Sequence, residues 1–172
     1  FFINIISTNE YQINLLTVRH SIFTTVSLLT TTGFSIADFN NWPDMSKMLV
    51  FVLLFIGGTA GSTTGGMKII RTIVVSRYLL CEVRRLLHPK GIYNIKLGEK
   101  IIDEDVVKAT LGFYLFYLFI FILTALVLST TGLDFITSLT ASASAIGNIG
   151  PGLGGIGPSE SWGHLTDLAK WL

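Results

Sequence analysis

Eighteen consecutive residues without a charge, Leu111 to Leu128 (LGFYLFYLFIFILTALVL), constrain this chain more than any other feature. At about 1.5 Å of rise per residue they nearly span a hydrocarbon core of roughly 30 Å, and Val106 to Thr110 extend them. A buried helix of a soluble protein is the alternative, but such a helix rarely lacks a polar stripe. Composition agrees with a membrane segment: 13% of the 172 residues are charged, against about 25% in soluble domains.

The charges are unevenly spread. Of twelve Lys and Arg, nine (Lys68, Arg71, Arg77, Arg84, Arg85, Lys90, Lys96, Lys100 and Lys108) fall in one stretch, with five of the eleven acids. The positive-inside rule puts that stretch in the cytoplasm, and residues up to about 47 and beyond about 129 outside. A nucleic-acid surface is the rival reading, but the interleaved acids and a net charge of +1 speak against a nucleic-acid partner. Cys81 is the single cysteine, so no internal disulfide or redox pair is expected. His20, His88 and His164 are scattered and carry no expected chemistry. Asp103, Glu104 and Asp105 are expected to cap the long helix and complement its dipole. The chain opens at Phe1 without a basic n-region and stops as an apolar run begins, so it reads as a piece of a larger protein.

A second crossing is interrupted. Met45 to Ile56 is apolar apart from Ser46 and Lys47, and apolar periodicity returns from Met67 towards Leu87. Between them stand Gly57, Gly58, Thr59, Ala60, Gly61, Ser62, Thr63, Thr64, Gly65 and Gly66. Five glycines in ten residues cannot hold a helix, since each costs roughly 1 kcal/mol against Ala. Irregular backbone at membrane depth persists only where protein buries it or where it lines a watery cavity. The segment is therefore a candidate pore element; a plain helix kink is the alternative. A phosphate loop is not, because Lys68 is followed by Ile69 and Gly66 does not adjoin the lysine.

Two further segments are helical in length but too short or polar to span. Leu15 to Leu29 runs into Thr30-Thr31-Thr32-Gly33-Phe34-Ser35, and Phe135 to Ser144 runs into Ala145-Ile146-Gly147-Asn148-Ile149-Gly150-Pro151-Gly152. Both read as re-entrant loops, and they look like copies. Gly33 and Gly147 lie 114 residues apart, and Asp44, Lys47 and Leu49 recur as Asp167, Lys170 and Leu172, with nine more residues between glycine and Asp in the second copy. The expected unit is helix, short pore helix, extended loop, helix. Carbonyls on an extended, glycine-containing backbone can replace a cation's water shell without a formal charge, and a short helix can aim its negative end at the ion. A structural glycine turn at the lipid interface is the competing reading.

Taken together, TTTGFS, GGTAGSTTGGMKIIR, the basic linker, the long helix and AIGNIGPGLG resemble the C-terminal half of the bacterial Trk/Ktr potassium uptake subunits, the TrkH and KtrB family, from about Leu15 to Leu172. The resemblance implies an all-α membrane protein whose repeated units surround one pore with re-entrant selectivity-filter loops and a broken transmembrane helix. Residues 1–88 would form part of the third repeat, 89–105 a cytoplasmic linker, and 106–172 part of the fourth. K⁺ would be the transported ion, held by the backbone of Thr31, Thr32, Gly33 and Phe34 in one loop and of Ile146, Gly147 and Asn148 in the other, with Ala145 and Ile149 at the edges. Gly57, Gly58, Gly61, Ser62, Thr63, Thr64, Gly65 and Gly66 would belong to a gate under the filter. Lys68 and Arg71 would stand at the cytoplasmic mouth, tuning ion passage or anchoring at headgroups. The implied setting is the bacterial inner (plasma) membrane, with multiple crossings, a homodimer, and a cytosolic nucleotide-binding subunit like TrkA or KtrA near the linker. Neither enzymatic activity nor an organic cofactor is implied. A Na⁺-selective or Na⁺-coupled transporter is the alternative within the superfamily.

Overall fold

The computed structural model describes all residues except 8–14, 89, 90, 92–94, 99 and 172, and of Phe2, Ile6, Ser7 and Lys100 the backbone only. Lys90 and Leu172, which enter the expectations above, lie outside the described residues. The described chain is mostly helical: α1 Phe2–Ser7, α2 Leu15–Leu29, α3 Asp44–Phe55, α4 Ile69–Leu87, α5 Glu104–Ser129, α6 Phe135–Gly147 and α7 Asp167–Trp171. A short antiparallel hairpin, β1 Lys96–Leu97 with β2 Lys100–Ile101, lies in the basic linker. Arg77 on α4 holds it by donating to the Lys96 carbonyl.

Among the described residues α5 alone is long and apolar enough to cross a membrane unaided, and only 28% of its most apolar window is buried. A soluble core helix would show the reverse. Glu104 and Asp105 in its first turn complement the dipole, but Asp103 makes no side-chain cap bond, so the expected cap is absent. At the other end the Thr130 and Thr131 hydroxyls donate to the carbonyls of Val127 and Leu128, closing the last turn.

With 12 residues, α3 reaches about 18 Å, short of a bilayer core. It ends where Ile56 turns extended, and α4 begins only at Ile69. The glycines between them give up helix for irregular backbone, as their composition demands.

Burial is inverted relative to a protein in water. Leu115, Phe116 and Leu126 of α5 are about two-thirds exposed, whereas Thr137, Ser138, Thr140, Ser142 and Ser144 of α6 are buried. Their hydroxyls are satisfied locally or between helices, as where Ser142 donates to the Phe121 carbonyl on α5 at 2.8 Å. Small buried hydroxyls let α5 and α6 approach closely, and apolar rings face outward where lipid can meet them. Two cores result. One gathers Val50 and Leu54 of α3 with Leu28, Phe39, Trp42, Phe121 and Ile149, and Phe55 meets Phe121 edge-on at 4.9 Å. The other joins Leu128, Ala141, Ile156, Leu165 and Ala169.

Candidate functional site: three glycine-bearing segments in contact

The loops after α2 and α6 share one hydrogen-bond pattern, displaced by 117 residues. Thr31 N–H donates to Leu28 and Thr32 N–H to Ser27, at 3.1 and 2.9 Å; Asn148 donates to Ala145 and Ile149 to Ser144, at 3.1 and 3.0 Å. Ser27 Oγ donates to the Phe34 carbonyl at 2.7 Å, and Ser144 Oγ to the Pro151 carbonyl at 3.0 Å. Left-handed backbone occurs at Thr31 (φ 50°) and Gly33 (75°), and again at Asn148 (51°) and Gly150 (111°).

This register corrects the expected pairing of Gly33 with Gly147. Gly33 corresponds to Gly150, while Ile146 and Gly147 form the last turn of α6. Gly147 lacks the left-handed φ of Gly33; that role falls to Asn148 and Gly150. The amide and carbonyl groups of Asn let it enter this region where most residues would strain.

Downstream the displacement becomes 123. Asp38 and Ser161 cap 3₁₀ turns at Phe39–Asn41 and Trp162–His164, each accepting from the N–H two residues on. Asp44 pairs with Lys47 at 3.3 Å, and Asp167 with Lys170 at 3.7 Å. Ser46 and its counterpart Ala169 are both buried. The second copy therefore carries six extra residues between loop and helix, 123 less 117, rather than the nine that the Gly147 register implies.

The loops touch through backbone. A Cβ on Gly33 would stand 2.0 Å from the Ile149 carbonyl oxygen. The third segment, between α3 and α4, packs against both: Gly65 N–H donates to Thr31 Oγ1 at 3.2 Å, and a Cβ on Gly65 would lie 2.0 Å from the Gly147 oxygen. Within it, Thr64 Oγ1 accepts from Gly58 and Ser62 Oγ accepts from Thr64. Gly57 packs against the backbone of Gly65, Gly66 against that of Gly57 and Phe55, and Gly61 faces open space. Among the described residues three non-glycines have positive φ: Thr31, Lys68 and Asn148, one in each segment. At Thr31 and Lys68 such strain, of order 1–3 kcal/mol per residue, persists only where the surroundings impose it.

Lys68 stands outside α4, at its N-cap, so it does not share helical spacing with Arg71. Its ammonium folds back and donates to the carbonyls of Ala60 and Ser62 at 3.3 and 3.1 Å. The Arg71 guanidinium lies 4.3 Å over the Phe113 ring on α5.

Sequence reasoning missed Ser27, Ser144 and Asn40. The recurrence of serine six residues before each loop's left-handed glycine, Gly33 or Gly150, was the available signal for the first two. At the N-cap of α6, hydrogen bonds from Thr137, its hydroxyl foremost, hold the Asp134 carboxyl below its usual range.

Residues 11–172 match the family described as TrkH, cation transport protein. The potassium uptake protein TrkH of Halomonas elongata is 39% identical over 96% of this chain and 34% of its own length. TrkH of Escherichia coli is 35% identical over 95% of this chain and 34% of its own. The crystal structure of the potassium transporter TrkH from Vibrio parahaemolyticus superposes with a TM-score of 0.89 at 36% identity, covering 99% of this chain and 36% of that one. The chain thus spans about a third of the length of its curated relatives. By these matches it belongs to the TrkH family of cation transport proteins, multi-pass proteins of the bacterial inner membrane.

Proposed function

We propose that this chain contributes two of the carbonyl-lined loops and the gate of a potassium uptake pore. The observation that carries the reading is the contact among three glycine-bearing segments, each with a non-glycine residue of positive φ and two of them built alike. Extended carbonyls suit a cation that must shed water and still leave. Thr31, Thr32, Gly33 and Phe34 would bind K⁺ in one loop. In the other Asn148 stays in the set, and the 117-residue register extends it to Ile149 and Gly150. Ile146 and Gly147 are helical, and the Gly147 carbonyl faces Gly65, so their part would be to seat the gate. The relatives' names speak for potassium over the sodium alternative.

The segment from Gly57 to Gly66 would lie under these loops and obstruct the path until it moves, with Lys68 and Arg71 at the cytoplasmic mouth. In this reading α3 and α4 are halves of one broken crossing. Residues 1–88 then belong to a third repeat and 106–172 to a fourth, joined by the cytoplasmic linker 89–105. A homodimer with a cytosolic nucleotide-binding subunit docked near that linker completes the assembly. No catalytic role is part of this reading.

A two-armed experiment in the full-length protein tests it, in cells lacking other K⁺ systems. Deleting several residues between Gly57 and Gly66 should raise Rb⁺ flux at equal membrane abundance. Gly33→Ser should lower Rb⁺ over Na⁺ discrimination roughly tenfold or more, from strain of 1–3 kcal/mol. Thr24 on α2, buried with its hydroxyl unpaired among the described residues, is the control position. Unchanged flux reduces the segment to a kink. Unchanged discrimination, or an equal shift from Thr24→Ala, sinks the ion-binding reading.

A further inference from the structure

We infer that Asn40 is a positioning residue that locks the loop after α6 onto the loop after α2, and that this lock helps set ion discrimination; the inference rests on the pore reading above. The Asn40 carboxamide makes two hydrogen bonds to one residue 114 positions away. Nδ2–H donates to the Gly154 carbonyl at 2.9 Å, and Oδ1 accepts from Gly154 N–H at 3.0 Å. The side chain thus pairs with a peptide as a neighbouring strand would. It is also walled in, since a Cβ on Gly157 would lie 1.9 Å from Nδ2.

Both ends of the link are anchored. Asn40 N–H donates to Asp38 Oδ1 at 3.0 Å, fixing the 3₁₀ turn that follows the first loop. Gly154 lies in the stretch 152–160, which holds the six residues that the first copy lacks. Its neighbours are tied to α6: Gly155 N–H donates to Thr137 Oγ1 at 2.8 Å, and Leu153 exchanges hydrogen bonds with the Thr140 hydroxyl at 2.9 and 3.1 Å. A continuous path of bonded groups therefore joins the exit of one loop to the helix beneath the other. Where the loops themselves meet, at Gly33 and Ile149, there is no side chain on the glycine to hold their separation. An ion coordinated by both loops is sensitive to that separation, because its competitor differs in radius. The link is one-sided: Asn40 corresponds to Gly163 in the 123-residue register, which has no side chain to return the contact.

The test measures Rb⁺ and Na⁺ uptake by the full-length protein at matched membrane abundance. Asn40→Asp is the deciding variant, since it keeps shape and the bond from Gly154 N–H but turns a carboxylate oxygen towards the Gly154 carbonyl. A positioning role predicts that the Rb⁺ to Na⁺ ratio falls by about fivefold or more, as for Asn40→Ala, from the loss of one or two hydrogen bonds. A space-filling role predicts the wild-type ratio for Asn40→Asp. Gly157→Ala should displace the amide and lower the ratio from the other side, and combining it with Asn40→Ala should do no more than the worse single change. If Asn40→Ala fails to accumulate, Asn40→Asp and Gly157→Ala carry the decision. A wild-type ratio in Asn40→Asp, or single effects that multiply in the double variant, overturns the inference. Gly33→Ser in the same assay separates the failures. If it lowers the ratio while the Asn40 variants do not, only the lock is wrong; if it too leaves the ratio intact, the pore reading falls.

Discussion

Three residues, Ser35 to Ala37, separate the clamped carbonyl of Phe34 from the Asp38 cap; nine, Gly152 to Glu160, separate Pro151 from the Ser161 cap. Up to those carbonyls the two loops share their turn, their clamp and their left-handed positions. Beyond them they part, because the longer stretch folds back on α6 through Thr137 and Thr140. The surroundings of the two glycines differ as well. Gly33 is pressed against the Ile149 carbonyl, whereas a Cβ on Gly150 would meet nothing within 4 Å. The turn is thus a local property carried by a serine and two left-handed residues, while the packing around it differs from copy to copy.

The largest expected effect breaks or confirms that asymmetry. Gly33→Ala should impair uptake and ion discrimination far more than Gly150→Ala. Both bear the strain of a left-handed Ala, about 1–3 kcal/mol, but only Gly33→Ala drives a methyl into backbone. Radiotracer uptake and membrane abundance of the two variants decide it. Equal damage at both positions would mean that conformation alone matters and that the contact between the loops does not.

A smaller difference is expected at the clamps. Ser27→Ala loses one hydrogen bond, for about 0.5–1.5 kcal/mol. Ser144 also accepts from Gly150 N–H at 3.0 Å, so Ser144→Ala orphans a backbone donor as well, and the penalty rises to about 1–3 kcal/mol. Thermal inactivation of the purified full-length protein should therefore begin at a lower temperature for Ser144→Ala than for Ser27→Ala. The reverse order would place the tighter clamp in the first loop.

The smallest effect concerns the start of α6, where Asp134 accepts from Thr137 N–H at 3.1 Å. Its folded-state pKa is lowered from 3.8, so the stabilisation is complete above the unfolded value and lost as pH falls through the lower, folded one. Melting curves should show little cost of Asp134→Asn at neutral pH, since Asn also caps well, and a slightly shallower loss of stability below about pH 4. A variant that loses as much stability on acidification as the wild type would show that the cap makes no pH-dependent contribution.

Much of this architecture was legible because it depends on residues near one another in the chain. Leu111 to Leu128 had to be a long apolar helix, and the glycines from 57 to 66 had to end one. The short lengths of α2 and α6 also followed from their flanking residues. The register of the repeat did not. Gly147 ends a short segment much as Gly33 does, and nothing local says that one stays helical while the other turns left-handed. Asn148 hid the true correspondence, because Asn can adopt a conformation that Thr31 reaches only under strain. The contacts of Lys68 were hidden for a related reason: its partners are carbonyls of Ala60 and Ser62, which carry no side-chain signature.

The sequence by itself determined the membrane-spanning helix, the two half-length helices and the three places where regular structure must fail, since each follows from hydropathy, length or glycine content within a window of about twenty residues. Only the tertiary structure decided that those three places meet, that Gly33 packs on Ile149 and corresponds to Gly150, and that Asn40 reaches Gly154. Each of these contacts has a backbone group on at least one side, far away in the chain, and every residue but proline offers the same N–H and C=O. Which of them come together is settled by how the helices pack, and no residue's identity announces it.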